Sequence, residues 1–108
     1  MGIRQEVKLI YGNEKTEEKP GNEIFIYSHW DDAKELKEII KEVLQRKERW
    51  GDESYLARMI FSAIVKRDIN SATGFGLAPY GIGDYEPVVI NLEEQTVDGI
   101  AFINFINN

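Results

Sequence analysis

Apolar and polar residues alternate with a period of two at the start of the chain. Ile3, Val7, Leu9 and Tyr11 stand against polar neighbours over residues 3–11, which predicts a strand. Gly12-Asn13 and the polar run Glu14 to Asn22, with Pro20-Gly21 inside it, predict a loop. Ile24, Phe25, Ile26 and Tyr27 then restore a β-branched and aromatic run, and the two runs pair as an antiparallel hairpin. Ile24 and Ile26 face one side of it, Phe25 and Tyr27 the other.

The period changes after Tyr27. Ser28 fits a helix N-cap, with Asp31 in the capping-box position three residues on, and Asp31 and Asp32 both suit the positive end of a helix. Leu36, Ile39, Ile40, Val43, Leu44 and Trp50 then fall in one stripe roughly 140° wide at helical spacing. Lys and Glu cover the other face, with Glu42 and Arg46 in the favourable order, and Gly51 stops the helix. Asp52 caps a second helix running to about Ile69. Its apolar residues cover well over half the circumference, which predicts a mostly buried, central helix. Only a narrow polar strip remains, carrying Arg58, Ser62 and Lys66, and Arg58 is the residue that looks out of place there.

Asn70 to Pro87 holds four glycines, two prolines and the aromatics Phe75, Tyr80 and Tyr85, and reads as one long loop. Val88 to Leu92 is a strand, Glu93 to Thr96 turns it, and Val97 to Ile106 supplies another, with Gly99 as a bulge. The predicted fold class is α+β in the order ββααββ: a single domain over residues 1–108, its mostly antiparallel four-stranded sheet carrying both helices on one face. Phe25, Tyr27 and Phe105 would then lie on the bare face, inviting self-association.

Composition narrows the chemistry. The chain has no cysteine, which removes disulfides, zinc–thiolate sites and thiol nucleophiles. Its charge of −6, from 19 acids and 13 bases, disfavours direct binding to a phosphate backbone. An acidic inhibitor that imitates nucleic acid is an alternative, but the acids are interleaved with bases rather than laddered. No run is long and apolar enough for a membrane span, Met1 to Glu6 is no secretory signal, and the expected compartment is the cytoplasm.

Tyr27-Ser28-His29-Trp30-Asp31-Asp32 concentrates the candidate chemistry, for it holds the chain's only histidine and one of its two tryptophans. The functional reading is a ligand site at a helix N-terminus, which suits an anion. The plainer reading is a capped helix whose His29 and Trp30 pack the junction. His29, Asp31 and Asp32, joined by Asp84 from the loop, could hold an oxygen-preferring Mg²⁺ or Mn²⁺, the basis for a metal-dependent phosphoester hydrolase as a second reading. A hydrolytic triad is disfavoured because Ser28 and His29, adjacent at a strand end, point apart. The glycines of residues 74–83 lack the Gly-x-x-x-x-Gly-Lys pattern, and Pro79 stands where a dinucleotide loop has its third glycine. Arg58 could hold a carboxylate or phosphate in a two-pronged grip, or pair with Asp31, Asp32 or Asp84 as a structural ion pair.

The string Ile26-Tyr27-Ser28-His29-Trp30-Asp31, with Arg49-Trp50, Tyr55-Leu56-Ala57-Arg58, Thr73-Gly74-Phe75-Gly76 and Val88 to Leu92, resembles small proteins of bacteriophages and related mobile elements that carry a Tyr-x-His-Trp-Asp/Gly signature before their first helix. The resemblance spans roughly Ile24 to Val97, and Asp32 departs from a glycine often found near that position. It implies a virus-encoded protein acting in bacterial cytoplasm, with counter-defence as a role of that class, and it assigns no reaction. The resulting expectation is a non-enzymatic binding protein, without cofactor, engaging a host protein or a small anionic molecule. Its site would comprise Tyr27, His29, Trp30, Arg58, Phe75, Tyr80 and Tyr85.

Overall fold

The structure, a computed structural model, describes residues 4–12, 22–81, 83 and 85–107. Among these, six strands form one mixed sheet: β1 (Gln5–Ile10), β2 (Glu23–Ser28), β3 (Phe75–Ala78), β4 (Val88–Asn91), β5 (Thr96–Val97) and β6 (Ile100–Ala101), in the spatial order β3-β2-β1-β4-β5-β6. The helices are α1 (Ala33–Gln45), α2 (Glu53–Val65) with a 3₁₀ turn Lys66–Asp68 following it, and the short α3 (Phe102–Phe105).

The α+β class holds, and the first hairpin forms: β1 and β2 pair antiparallel, Val7 opposite Ile26 and Leu9 opposite Ile24. The expected four-stranded ββααββ sheet does not. β1 pairs parallel with β4, Val7 opposite Val88 and Leu9 opposite Ile90, so the chain crosses over through both helices before returning to the sheet. Strand period then sets Val7, Leu9, Ile26, Val88, Ile90 and Val97 on one face, in a single core with Leu36, Ile40 and Leu44 of α1 and Leu56, Ile60 and Ile64 of α2. Burying each of these side chains contributes about 1.5–3 kcal/mol, which is why the period-two and period-3.6 stripes decide the architecture.

The glycine-rich stretch conceals the added strand. Phe75-Gly76-Leu77-Ala78 pairs antiparallel with β2, and Gly76 faces Tyr27. A Cβ at Gly76 would overlap the Tyr27 ring, so this glycine admits an aromatic across the sheet rather than loosening a loop. The C-terminal expectation of one strand from Val97 to Ile106 is also corrected. Asp98 and Gly99 take left-handed backbone angles, φ 49° and 83°, in a tight two-residue turn between β5 and β6. Gly99 is therefore a turn residue and not a bulge. Phe105 follows in α3 and packs on the core side rather than on the opposite face.

That opposite face is not bare either. The segment at Gly81 and Gly83 passes over Phe25 and Glu6, both buried. The helix boundaries move as well. α1 starts at Ala33 and ends at Gln45, because Lys47 and Arg49 turn the backbone left-handed at φ 53° and 59°. Trp50 thus lies beyond the helix, where its indole donates to the Leu44 carbonyl at 3.2 Å and meets Phe102 edge-on at 5.4 Å. Asp52 caps α2 as expected. However, α2 buries only one face, leaving Tyr55 and Arg58 in solvent.

Candidate functional site

Ser28 ends β2 with its side chain on the helix face, opposite Gln5 and Phe75. It is not the helix cap. Its hydroxyl donates to Asp31 Oδ2 at 2.8 Å and accepts from the Trp30 backbone N–H at 3.1 Å, holding residues 28–31 in a tight turn. Asp32 is the cap instead: its Oδ1 accepts from the Glu35 N–H at 2.8 Å, and Glu35 Oε1 accepts from the Asp32 N–H at 3.2 Å. The capping motif lies four residues downstream of its expected position, since each of the two adjacent aspartates could be read as its part.

Asp31, freed from capping, is the buried residue, only 5% exposed. Its Oδ2 also receives the Arg67 guanidinium at 2.5 Å, and its Oδ1 is buried with no hydrogen-bond partner among the described residues. Arg67 in turn lies over the Phe75 ring at 5.8 Å. Ser28, Asp31, Arg67 and Phe75 thereby tie together the end of β2, the approach to α1, the end of α2 and the start of β3. A charge removed from water is tolerable here because it is paired and hydrogen-bonded on one oxygen.

Around this anchor an open cavity of about 750 Å³ forms at the start of α1. His29 and Trp30 line it from the β2–α1 junction, Asp32 and Glu35 from the first turn of α1, and Tyr85 and Glu86 from the segment before β4. Gln5, buried on the core face of β1, donates to the Glu86 carbonyl at 2.9 Å and so fixes Tyr85 beside the cavity. His29 continues the strand ladder through its N–H to the Gly74 carbonyl at 3.0 Å, and its ring meets Tyr27 edge-on at 5.8 Å. Trp30 is 56% exposed and Tyr85 55%, and the Trp30 indole edge lies against Gly74. The lining includes the acidic residues Asp31, Asp32, Glu35 and Glu86, and no Lys or Arg among the described residues.

The structure thus brings together His29, Trp30, Asp31, Asp32 and Tyr85, with Tyr27 behind His29. It separates the other expected members. Arg58 points from the exposed face of α2 and donates to Ser62 Oγ at 3.2 Å, in a depression shared with Arg49 and Tyr55. Phe75 faces a different groove, and Tyr80 is exposed away from the cavity lining. Asp84 lies outside the described residues. Among those described, no three His, Asp or Glu side chains gather to hold a metal ion, since Asp31 is turned to Arg67 and Asp32 to the helix end.

Sequence reasoning missed Arg67, Gln5 and Glu86. Arg67 falls at helical spacing from the buried Ile60 and Ile64, seven and three residues on, so a cation sits where the next core residue belongs. Gln5 likewise shares the inward period of Val7 and Leu9. In both cases the signal is a polar residue on an apolar stripe. No match to this chain is found among protein-family models, curated proteins or solved structures.

Proposed function

We propose that the chain is a non-enzymatic binding protein that engages a host protein through the cavity at the start of α1, taking a cationic side chain of that partner between Trp30 and Tyr85. The observation that carries this reading is the cavity's composition: two exposed aromatic rings and three acidic residues besides the Arg67-paired Asp31, with no Lys or Arg in the lining among the described residues. A guanidinium or ammonium gains from both, from the ring faces and from the opposite charges. A small anion finds the reverse, because Asp32 and Glu35 already place negative charge at the helix end that would attract it. The resemblance of Ile26 to Asp31 to bacteriophage proteins supports a virus-encoded chain with its partner in the bacterial host, and a counter-defence role fits that setting.

The test is capture of a partner from bacterial lysate, repeated with two variants. Asp32→Asn with Glu35→Gln keeps both capping bonds but removes two charges, and is expected to lose the partner. Arg58→Ala, far from the cavity, is expected to retain it. Loss with Arg58→Ala and retention with the double variant would place the binding surface elsewhere and overturn the reading.

A further inference from the structure

A cation held by aromatic rings alone needs no N–H group, whereas one held by carboxylate oxygens needs several. The cavity at the start of α1 offers both kinds of contact. Trp30 and Tyr85 line it, and each is more than half exposed. Asp32 and Glu35 line it too, and each has one oxygen already engaged: Asp32 Oδ1 accepts from the Glu35 N–H, and Glu35 Oε1 from the Asp32 N–H. These reciprocal bonds pin both carboxylates and leave Asp32 Oδ2 and Glu35 Oε2 without a partner among the described residues.

A third acceptor is unmet. Asp31 also belongs to the cavity lining, and its side chain is only 1% exposed. Its Oδ2 accepts from both Ser28 and Arg67, while Oδ1 has no donor. Among the described residues it is the only buried side-chain oxygen or nitrogen left in that state. A buried carboxylate oxygen without a donor is costly, and here it lies in the wall of a cavity that a donor can enter.

We infer that the cation taken by this cavity is a guanidinium, the side chain of an arginine in the partner, and not a lysine ammonium or a quaternary ammonium. The inference rests on the reading of the cavity as a cation site and adds what that cation must carry. A guanidinium is planar and stacks on aromatic rings, while its five N–H groups point outward in the plane toward acceptors on separate sides. It is also less strongly hydrated than an ammonium, so leaving water for an aromatic wall costs less. Lysine brings three donors on a compact charge that does not stack, and a quaternary ammonium brings none. The fold already contains the combination once: the Arg67 guanidinium pairs with Asp31 Oδ2 and lies over the Phe75 ring at 5.8 Å.

NMR titrations with arginine amide, lysine amide and tetramethylammonium, followed at the Trp30 indole and the Tyr85 ring, test the choice. Arginine amide is expected to bind about tenfold more tightly than lysine amide, with tetramethylammonium weaker still. Asp32→Asn with Glu35→Gln keeps the capping bonds but turns the two free acceptors into donors. It is expected to bring the ratio of arginine to lysine affinity close to one, whereas loss of charge alone would weaken both probes alike. The ratio is measured first in the unaltered protein, so the test survives a double variant that fails to fold. Equal affinity for arginine and lysine amide, or tighter binding of tetramethylammonium, overturns the inference and leaves the cation reading standing. No response to any of the three probes overturns both.

Discussion

The two long helices begin alike and end up in different surroundings. Asp32 caps α1 and Asp52 caps α2, each in extended backbone and each accepting from the N–H three residues on, at 2.8 Å and 3.2 Å. Before Asp52 stands an ordinary surface turn, with Arg49 paired loosely to the cap carboxylate at 3.8 Å. Before Asp32 stand a buried aspartate tied to Arg67, an exposed tryptophan and an open cavity. Capping explains the carboxylate that both junctions share. It does not explain the buried Asp31, the exposed Trp30 or the acidic cavity; at the α2 junction Trp50 packs against Phe102 and the neighbouring depression is lined by arginines. Subtracting the structural role common to both helices therefore isolates what is special about one.

Substitutions can sharpen that contrast, and the largest effect is expected at Asp31. Asp31→Ala strands the Ser28 hydroxyl and removes Arg67's partner, and should destabilise the fold by about 3 kcal/mol in denaturant unfolding. A cost below about 1 kcal/mol would show that Arg67, half exposed, holds the carboxylate no better than a surface pair. The caps should rank next and match each other: Asp32→Ala and Asp52→Ala are each expected to cost about 1 kcal/mol. A clear inequality between them would mean that the cavity draws stability from its cap.

The smallest effect is expected outside both junctions, at Tyr11. Burial, with the Glu53 carboxylate adding to it, raises the Tyr11 phenol above its ordinary value of 10.0. The folded state thus holds this proton more tightly than the unfolded chain. The resulting stability is present in full below pH 10 and is lost as pH rises through the folded value. Tyr11→Phe should flatten that alkaline decline, as followed by thermal unfolding in a pH series, and an unchanged decline would assign it to other groups.

Much of this fold is legible in the sequence. The first hairpin, both amphipathic helices, the Asp52 cap and β4 follow from period and capping chemistry, because each is decided by residues close in the chain. What escaped depends on contacts between distant residues. Gly76 reads as a loop signal until Tyr27 is seen across from it, and the parallel pairing of β1 with β4 has no local signature. Asp98-Gly99 is different: the pair is a local hairpin-turn signal, masked by the apolar residues that continue on either side of it to Ile106. Of the candidate residues, His29, Trp30 and Tyr85 line one cavity, and they stand out in the sequence as aromatic and titratable residues in a polar junction. Arg58 stands out because it interrupts a helix, whereas Arg67 lies just past the helix end, where a cation is commonplace.

The central claim is that the α1 junction recognises positive charge between aromatic rings, and an NMR titration with arginine amide and, separately, inorganic phosphate tests it most directly. The expected result is a saturable shift of the Trp30 indole and of His29 and Tyr85 resonances with arginine amide, at about millimolar affinity for so small a probe. Asp32→Asn with Glu35→Gln should weaken it about tenfold, and phosphate should leave these resonances unmoved. Phosphate binding at these residues, with no response to arginine amide, would contradict the account.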